Sequence, residues 1–477
     1  MAGRLGSALL AFGITVFSGT GLATAMPLDE AVRLAVATNP KIEAAEATYR
    51  ATEETLKQAM GRLMPEINLR MEYGKQKIDR PQGLGPDVNN VWRNSRSVTA
   101  SFRQVLLDGF DRANDIYRSR ARIEAASGKI QARSEAVALA GVEAYVDIVR
   151  HTDLLAFAYS NVKRHEELAQ RIRASFTGGN APIGDLQQTE ERIEAAKSLV
   201  AQIKISLETA KAKFRNVVGA QPVKLSAVRY PEGLPGSPDE AVEIAAGNNP
   251  RIRASLSEID VGHFDQKQFE SSLYPQLSLE GSATRGEDLE GTPGRNDELK
   301  GMVVLSWKVF DGGIRRSRAR ELSERAAALR AEHDALLRDI RQDIQIAWAR
   351  YVEGRSQVTA LRRQLDQNNK LVDTYFNEYE AGKRSLLDVL DAQNTRFRSR
   401  YELSNAESIR LFASYEMLAS MGGLLKYFGI ESDPSVVTGY SADFGLKMDD
   451  LRSASGSLDG SSRGAITTID LPPLSSR

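Results

Sequence analysis

The stretch "EINLRMEY", residues 66–73, alternates strictly: Ile67, Leu69, Met71 and Tyr73 fall on one side of an extended chain, Glu66, Asn68, Arg70 and Glu72 on the other. Beyond a polar Gly/Pro/Asn loop, "SVTASFRQV" (97–105) alternates again through Val98, Ala100 and Phe102. Together they predict a β-hairpin over about 64–108. A second hairpin, over about 274–311, follows from "QLSLEGSA" (276–283) and "GMVVLSWKVF" (301–310), where Val303, Leu305, Trp307 and Val309 alternate with Val304, Ser306 and Lys308. Four strands of about ten residues can form a small sheet capping a helical bundle. They equally suit a membrane barrel, with lipid outside and water inside. A barrel must close, because an open edge in lipid leaves backbone groups unpaired. Four strands enclose no lumen, so closure needs several chains, and three give twelve strands. Tyr73, Trp92 and Trp307 are then candidates for the aromatic belt.

Working outward, the hairpins sit in a duplicated plan. "LDEAVRLAVATNPKIEAA" from residue 28 is echoed by "PDEAVEIAAGNNPRIRAS" from residue 238. Asn39-Pro40 and Asn249-Pro250 lie 249 − 39 = 210 residues apart, as do Pro65 and Pro275. Asp108 of "LLDGF" and Asp311 of "VFDGG" lie 311 − 108 = 203 apart, and Gly179/Gly382, Asp185/Asp388 and Gly219/Gly422 keep that offset. The organisation expected is a first repeat over 26–237 and a second over 238–430. Each holds a helix, a hairpin and a long helical hairpin, the last over 112–219 and 312–424.

The helical signal is long. Ile116, Ile123, Ile130 and Val137 recur every seven residues, as do Ile148, Leu155, Val162, Ala169 and Phe176. A helix from Arg112 to Phe176 measures roughly 98 Å at 1.5 Å per residue. The return from Asp185 to Val218 carries Ile193, Ala196, Val200, Ile203, Leu207, Ala210, Phe214 and Val217 on a/d positions. It is about half as long. The helical segment from Leu28 to about Met60, kinked or restarted at Pro40, supplies the other half. Leu322, Leu329 and Leu336, then Tyr351, Val358, Leu365, Val372 and Tyr379, repeat the pattern.

Composition sets bounds. Lys+Arg and Asp+Glu balance at 63 each, which points to no nucleic-acid partner. Without cysteine there are no disulfides, thiolate metal sites, cysteine nucleophile or acyl-cysteine anchor. Arg4, the apolar "ALLAFGITVF" and "ATA" (23–25) read as a signal peptide over 1–25. Residues 431–477, rich in Ser, Gly and Asp, read as a flexible tail.

These landmarks, with "GKRSLLDVLDAQ" in the second half, resemble the TolC family of trimeric outer-membrane channels over roughly residues 27–428. The resemblance implies a mainly α fold with a small β part: a long-helix α-barrel joined to a transmembrane β-barrel, four strands per chain, closed as a twelve-stranded barrel in a homotrimer. It implies an exit duct in the Gram-negative outer membrane with a long periplasmic part. The partners implied are outer-membrane lipid, a periplasmic adaptor (membrane fusion) protein and an inner-membrane ABC or RND-type transporter, with no cofactor and no enzymatic activity. "AYVDIVR" and "NVKRHEELAQ" look more like members serving type I protein secretion than drug efflux. Carried over by position, Asp388 and Asp391 match the carboxylates ringing the periplasmic constriction. Tyr379 and Arg384 match residues that latch the closed tip, and Asp185 one of their partners. Gly184 departs from the pattern, standing where a hydroxyl residue can be a second partner.

Plainer readings stand beside these. Asp185 with Gln188 resembles an N-cap and capping box, and Asp388 is also a candidate cap. Arg384 can be a solvated turn residue and Tyr379 a core residue. The rival from another class is a soluble periplasmic coiled-coil scaffold without a pore. A hydrolase using the Asp pair has no cleft or substrate in the sequence, and His151, His165, His263 and His333 show no metal-ligand spacing.

Overall fold

A computed structural model describes residues 25–79, 90–179, 181–291 and 293–431. The expected signal peptide and tail lie almost wholly outside the described residues. The elements, in order, are α1 (Leu28–Thr38), α2 (Pro40–Gly61), β1 (Glu66–Lys77), β2 (Trp92–Leu107), α3 (Asp111–Thr177), α4 (Ile183–Val218), α5 (Pro238–Asn248) and α6 (Pro250–Glu270). There follow β3 (Gln276–Glu287), β4 (Arg295–Ser306), α7 (Ile314–Glu380), α8 (Leu386–Ser420) and the one-turn α9 (Leu424–Tyr427).

The strands form one antiparallel sheet in the order β1-β2-β3-β4. Register aligns Leu69 with Ala100, Ala100 with Ala283, and Ala283 with Leu299, so one face is apolar across all four strands. The opposite face aligns Arg70, Thr99, Thr284 and Glu298. The strands run 12, 16, 12 and 12 residues, longer than the expected ten. The ladder continues past the apolar run because cross-strand ion pairs, such as Arg285–Asp297, replace hydrophobic contacts near the hairpin turns. A bulge between Val105 and Leu107 shifts the register where β2 leaves the sheet. Strands β1 and β4 each have one partner, leaving two edges open among the described residues.

At both strand-to-helix corners the Asp-Gly landmark has a mechanical role. Gly109 and Phe110 adopt φ of 63° and 71°, Gly312 and Gly313 of 68° and 87°. Asp108 accepts from the Arg112 backbone N–H (3.3 Å) and Nε (2.5 Å), and Asp311 accepts from the same groups of Arg315 at 3.3 and 2.6 Å. Each carboxylate thus satisfies the first turn of a 67-residue helix, favourably placed at its positive end.

Helices α3 and α7 each measure about 100 Å at 1.5 Å per residue. Near the sheet, α3 lies against α2 and α6; farther away it lies against α4 and α8. Helix α7 packs on α6 and then α8, so it borders the layer on one side while α2 and α4 border it on the other. Burial follows this order. Helix α3 buries residues along its whole length, whereas α7 buries only Leu322, Ala326, Ile340, Ile344, Ala347, Val358 and Val372. On α4 the heptad stripe from Ala196 through Val200, Ile203, Leu207 and Ala210 to Phe214 is buried.

Helix α1 ends at Thr38 and α2 begins at Pro40, a restart rather than a kink. The Asn39 side chain accepts from Lys41 N–H (3.0 Å) and donates to the Val217 carbonyl at the end of α4 (3.0 Å). Asn249 accepts from Arg251 N–H (2.8 Å) and donates to the Ser420 carbonyl at the end of α8 (2.7 Å). Each Asn-Pro pair therefore seats one helix on the carbonyl end of another, and two shorter helices run alongside one long one.

Candidate functional site

The far ends of the two helical hairpins meet in one apolar cluster. Leu168, Ile172 and Leu186 of the first hairpin pack with Leu386, Val389 and Leu390 of the second, covered by Tyr375, Phe376 and Tyr379. Gly382, at φ 69°, turns the chain between α7 and α8. Ser385 then caps α8: its Oγ accepts from the Asp388 N–H at 3.3 Å and donates to Asp388 Oδ2 at 2.8 Å. Asp388 thus stands at the third position of α8, tied through both its N–H and its carboxylate to the hydroxyl of the N-cap Ser385.

Its neighbour Asp391 lies on the same helical face three residues on. Asp391 Oδ1 accepts from the Arg192 guanidinium of α4 at 3.3 Å. Asp388 stands 3.7 Å from the Arg384 guanidinium. The side chains of Asp388 and Asp391 remain 45% and 58% exposed. Both carboxylates are therefore partly neutralised within their own chain while still facing solvent.

Arg384 is fixed chiefly by other groups. Its Nε donates to Glu378 at 2.6 Å and its guanidinium stacks over the Tyr375 ring at 3.8 Å. The hydrogen bond to Glu378 raises the Arg384 pKa above its ordinary value. Tyr379 packs against the apolar cluster; burial first, and then the charge of Asp185, raise its phenol. No hydrogen bond joins Tyr379 to Asp185 among the described residues.

Helix α4 begins at Ile183 with Pro182 as N-cap and no side-chain cap bond. The capping box read for Asp185 and Gln188 does not form, because the N-cap is Pro182, three residues earlier, which leaves Asp185 inside the first turn. A Cβ on Gly184 would meet nothing within 4 Å, so the position opposite the tip is open space.

A buried polar group lies above the tip. His165 of α3 is 3% exposed, and Arg396 and Gln393 of α8 are each 6% exposed. Burial, then the charges of Arg192 and Arg396, hold the His165 imidazole down to about 4. Burial and Arg164 lower Arg396 to about 10. Arg192 thus links this group to Asp391. Its role, and those of Glu378 and Tyr375, had no local sequence signal beyond a charge or ring near a turn.

At the other end, the sheet exposes its apolar face: Ile67 73%, Leu299 86%, Val303 65%. Tyr73 and Trp92 stand toward the hairpin turns, Trp307 toward the helices, with its Nε1 donating to the Leu273 carbonyl at 3.1 Å. Phe110 and Phe310, 77% and 85% exposed, join Trp307 at the helix side. The sequence reading missed them because they fall on the Asp-Gly corners rather than on a strand. Among the described residues no helix is long and apolar enough to cross a membrane.

Comparison with known proteins bears on both ends. The sequence profile described as outer membrane efflux protein matches residues 31–220 and 241–423. The efflux protein BepC of Brucella suis biovar 1 is 26% identical, over 85% of this chain and 88% of its own. The alkaline protease secretion protein AprF of Pseudomonas aeruginosa is 22% identical, over 87% of each. The outer membrane protein VceC of Vibrio cholerae shares the fold, with a TM-score of 0.71 at 15% identity, over 83% of this chain and 96% of that one.

Proposed function

The chain belongs to the outer membrane efflux protein family, the TolC-type channels of Gram-negative outer membranes, and on that premise we propose that three copies close into one export duct. Members of this family are channels rather than enzymes. In this reading β4 of one copy pairs with β1 of the next, giving a twelve-stranded barrel, and the bordering helices α7 and α2/α4 close a tube in the periplasm. The observation that carries it is the sheet itself. A largely exposed apolar face and two open edges of equal length, β1 and β4 at 12 residues each, support this reading, because lipid covers such a face and requires every edge to be paired.

Asp388 and Asp391 then form a ring of carboxylates at the periplasmic entrance, six around one axis, and favour cations there. Tyr379, Arg384 and Asp185 act as the latch of the closed tip, with Glu378 and Tyr375 holding Arg384 in position. The absence of a hydroxyl at Gly184 leaves that latch with fewer bonds. Cargo arrives from an inner-membrane ABC or RND-type transporter through a periplasmic adaptor. Protein secretion is favoured slightly over drug efflux, on the sequence segments noted above and the likeness to AprF.

Planar-bilayer recording of the purified protein tests both levels. The wild type should conduct with cation preference, and Asp388→Ala with Asp391→Ala should reduce that preference several-fold. A protein that never conducts sinks the duct; unchanged selectivity in the double variant sinks the gate assignment alone.

A further inference from the structure

The lipid-side face of the sheet changes character along its length. Its middle is apolar, through Leu69, Met71, Val98, Ala100, Leu299 and Val303. The charged strand residues of this face begin at the edge of that band, where Arg285 and Asp297 stand in register with Val98 and Met71, and the others lie nearer the hairpin turns. The cations are Lys75, Lys77, Arg96, Arg285 and Arg295, and the anions only Glu287 and Asp297. The opposite, lumen-side face is different: four acidic and four basic residues balance there and are scattered from end to end.

The guanidiniums are ordered. Arg96 donates to Glu287 at 2.9 Å, and Arg285 and Arg295 share Asp297 at 3.2 and 2.8 Å. Three guanidiniums thus stand on two carboxylates and keep unused donors. A hollow of about 500 Å³, lined by Met71, Tyr73 and Val98 together with the three arginines, joins the apolar band to this rim.

We propose that the rim binds a phosphorylated lipid headgroup of the outer leaflet, with its acyl chains along the apolar band. The proposal rests on the barrel reading above, in which the helices leave toward the periplasm and the hairpin turns face outward. Charge complementarity carries it. A strand end that was merely solvated would need no particular sign, as the balanced lumen side illustrates. Among the described strand residues, the net positive charge occurs on the face that meets lipid and gathers toward its hairpin-turn end. Guanidinium suits it, since its planar donors match phosphate oxygens and its weak hydration tolerates an apolar border. Three chains repeat the rim around the barrel.

Native mass spectrometry of the full-length trimer in neutral detergent, titrated with bisphosphorylated lipid A, tests this. Each basic residue near an anionic surface contributes about 1 kcal/mol, so Arg96→Gln with Arg285→Gln and Arg295→Gln should weaken binding roughly 100-fold. The corresponding triple Lys variant should stay within about tenfold of wild type. Arg70→Gln with Arg103→Gln, on the lumen side, should leave binding unchanged. Equal retention by the triple Gln variant, equal retention of dephosphorylated lipid, or displacement by millimolar inorganic phosphate would each overturn the proposal. If the triple Gln variant does not assemble, Arg285→Gln alone should weaken binding about fivefold, and no change there overturns it too. A wild-type protein that conducts but does not prefer the phosphorylated lipid refutes only this site; one that neither trimerises nor conducts refutes the reading beneath it.

Discussion

Asn249 uses both ends of one amide: the oxygen caps α6 and the nitrogen donates to the Ser420 carbonyl at the end of α8. Asn39 does the same for α2 and α4. Both are buried, 3% and 8% exposed, so water cannot replace either bond. Asn249→Ala should therefore lose a cap, about 1 kcal/mol, and strand a buried carbonyl, at a further 1–3 kcal/mol or so. Asn249→Asp keeps the cap but points a carboxylate at the Ser420 carbonyl, and should be worse than alanine. Thermal denaturation of the purified protein checks the order; an alanine variant melting with the wild type would show that packing alone holds the joint. The Asn-Pro pair was legible in the sequence as a repeated landmark, and Pro40 as either a kink or a restart. Its bridging role was not, because the carbonyls it serves lie 178 and 171 residues away. The same limit hid the pairing of Arg192 with Asp391, 199 residues apart. By contrast Ser385-x-x-Asp388 is local chemistry, yet the sequence reading put the candidate cap on Asp388, and the N-cap is Ser385 three residues earlier.

Between elements, two buried groups of the helical part titrate with opposite signs. Glu135 of α3 lies beneath α9, accepting from the Leu425 N–H at 3.3 Å, and burial pushes its carboxyl up to about 7. The folded chain thus holds this proton more tightly than the unfolded one. The stabilisation is full below about 4.5 and is lost as pH rises through about 7. His165 is the reverse: its folded value of about 4 lies below the ordinary 6.5, so stability is full above 6.5 and is lost as pH falls toward 4. Each span corresponds to something on the order of 3 kcal/mol. Acidification from pH 6.5 to 4.5 should therefore loosen the α3–α4–α8 tip and tighten α9 on α3. Hydrogen exchange, corrected for the intrinsic pH effect, should show both; Glu135→Gln should abolish the change at α9 only. Uniform protection across this range would contradict the assignment. Sequence legibility divided along the same elements. The seam of α4 is buried as read from Ala196 to Phe214, where α4 meets α3 along a heptad stripe, but at its ends Ile193 and Val217 are half-buried and Val218 is buried instead. On α3 the seven-residue series named Ile116 and Ile123, yet these are only half-buried, while Ala121, Ala125 and Gly128 are fully buried. A helix flanked on both sides has more than one seam, and where α6 crosses closest the residues must be small: a Cβ on Gly128 would come within 3.1 Å of Ala254 backbone atoms.

For the whole molecule, the alternation in "EINLRMEY" established strands with one apolar and one polar face, and the register carries that segregation across all four. What no single chain's sequence encodes is where the open edges go, since in the proposed duct their partner is another copy. The two edges are different surfaces, β1 on one side and β4 on the other, so in that proposed duct copies would join head to tail and the ring would close only when every junction is sound. This asymmetry has a genetic consequence. A chain with an intact β1 and a spoiled β4, such as Val303→Pro, can still accept a neighbour but cannot complete a ring, so it sequesters good chains in dead-end assemblies. Such an allele should be dominant. With equal amounts of the two chains, only about one trimer in eight would be wholly wild type, and channel yield after co-expression should fall toward that fraction. A yield near one half would mean that spoiled chains are excluded before assembly and that the wild-type copy is recessively sufficient.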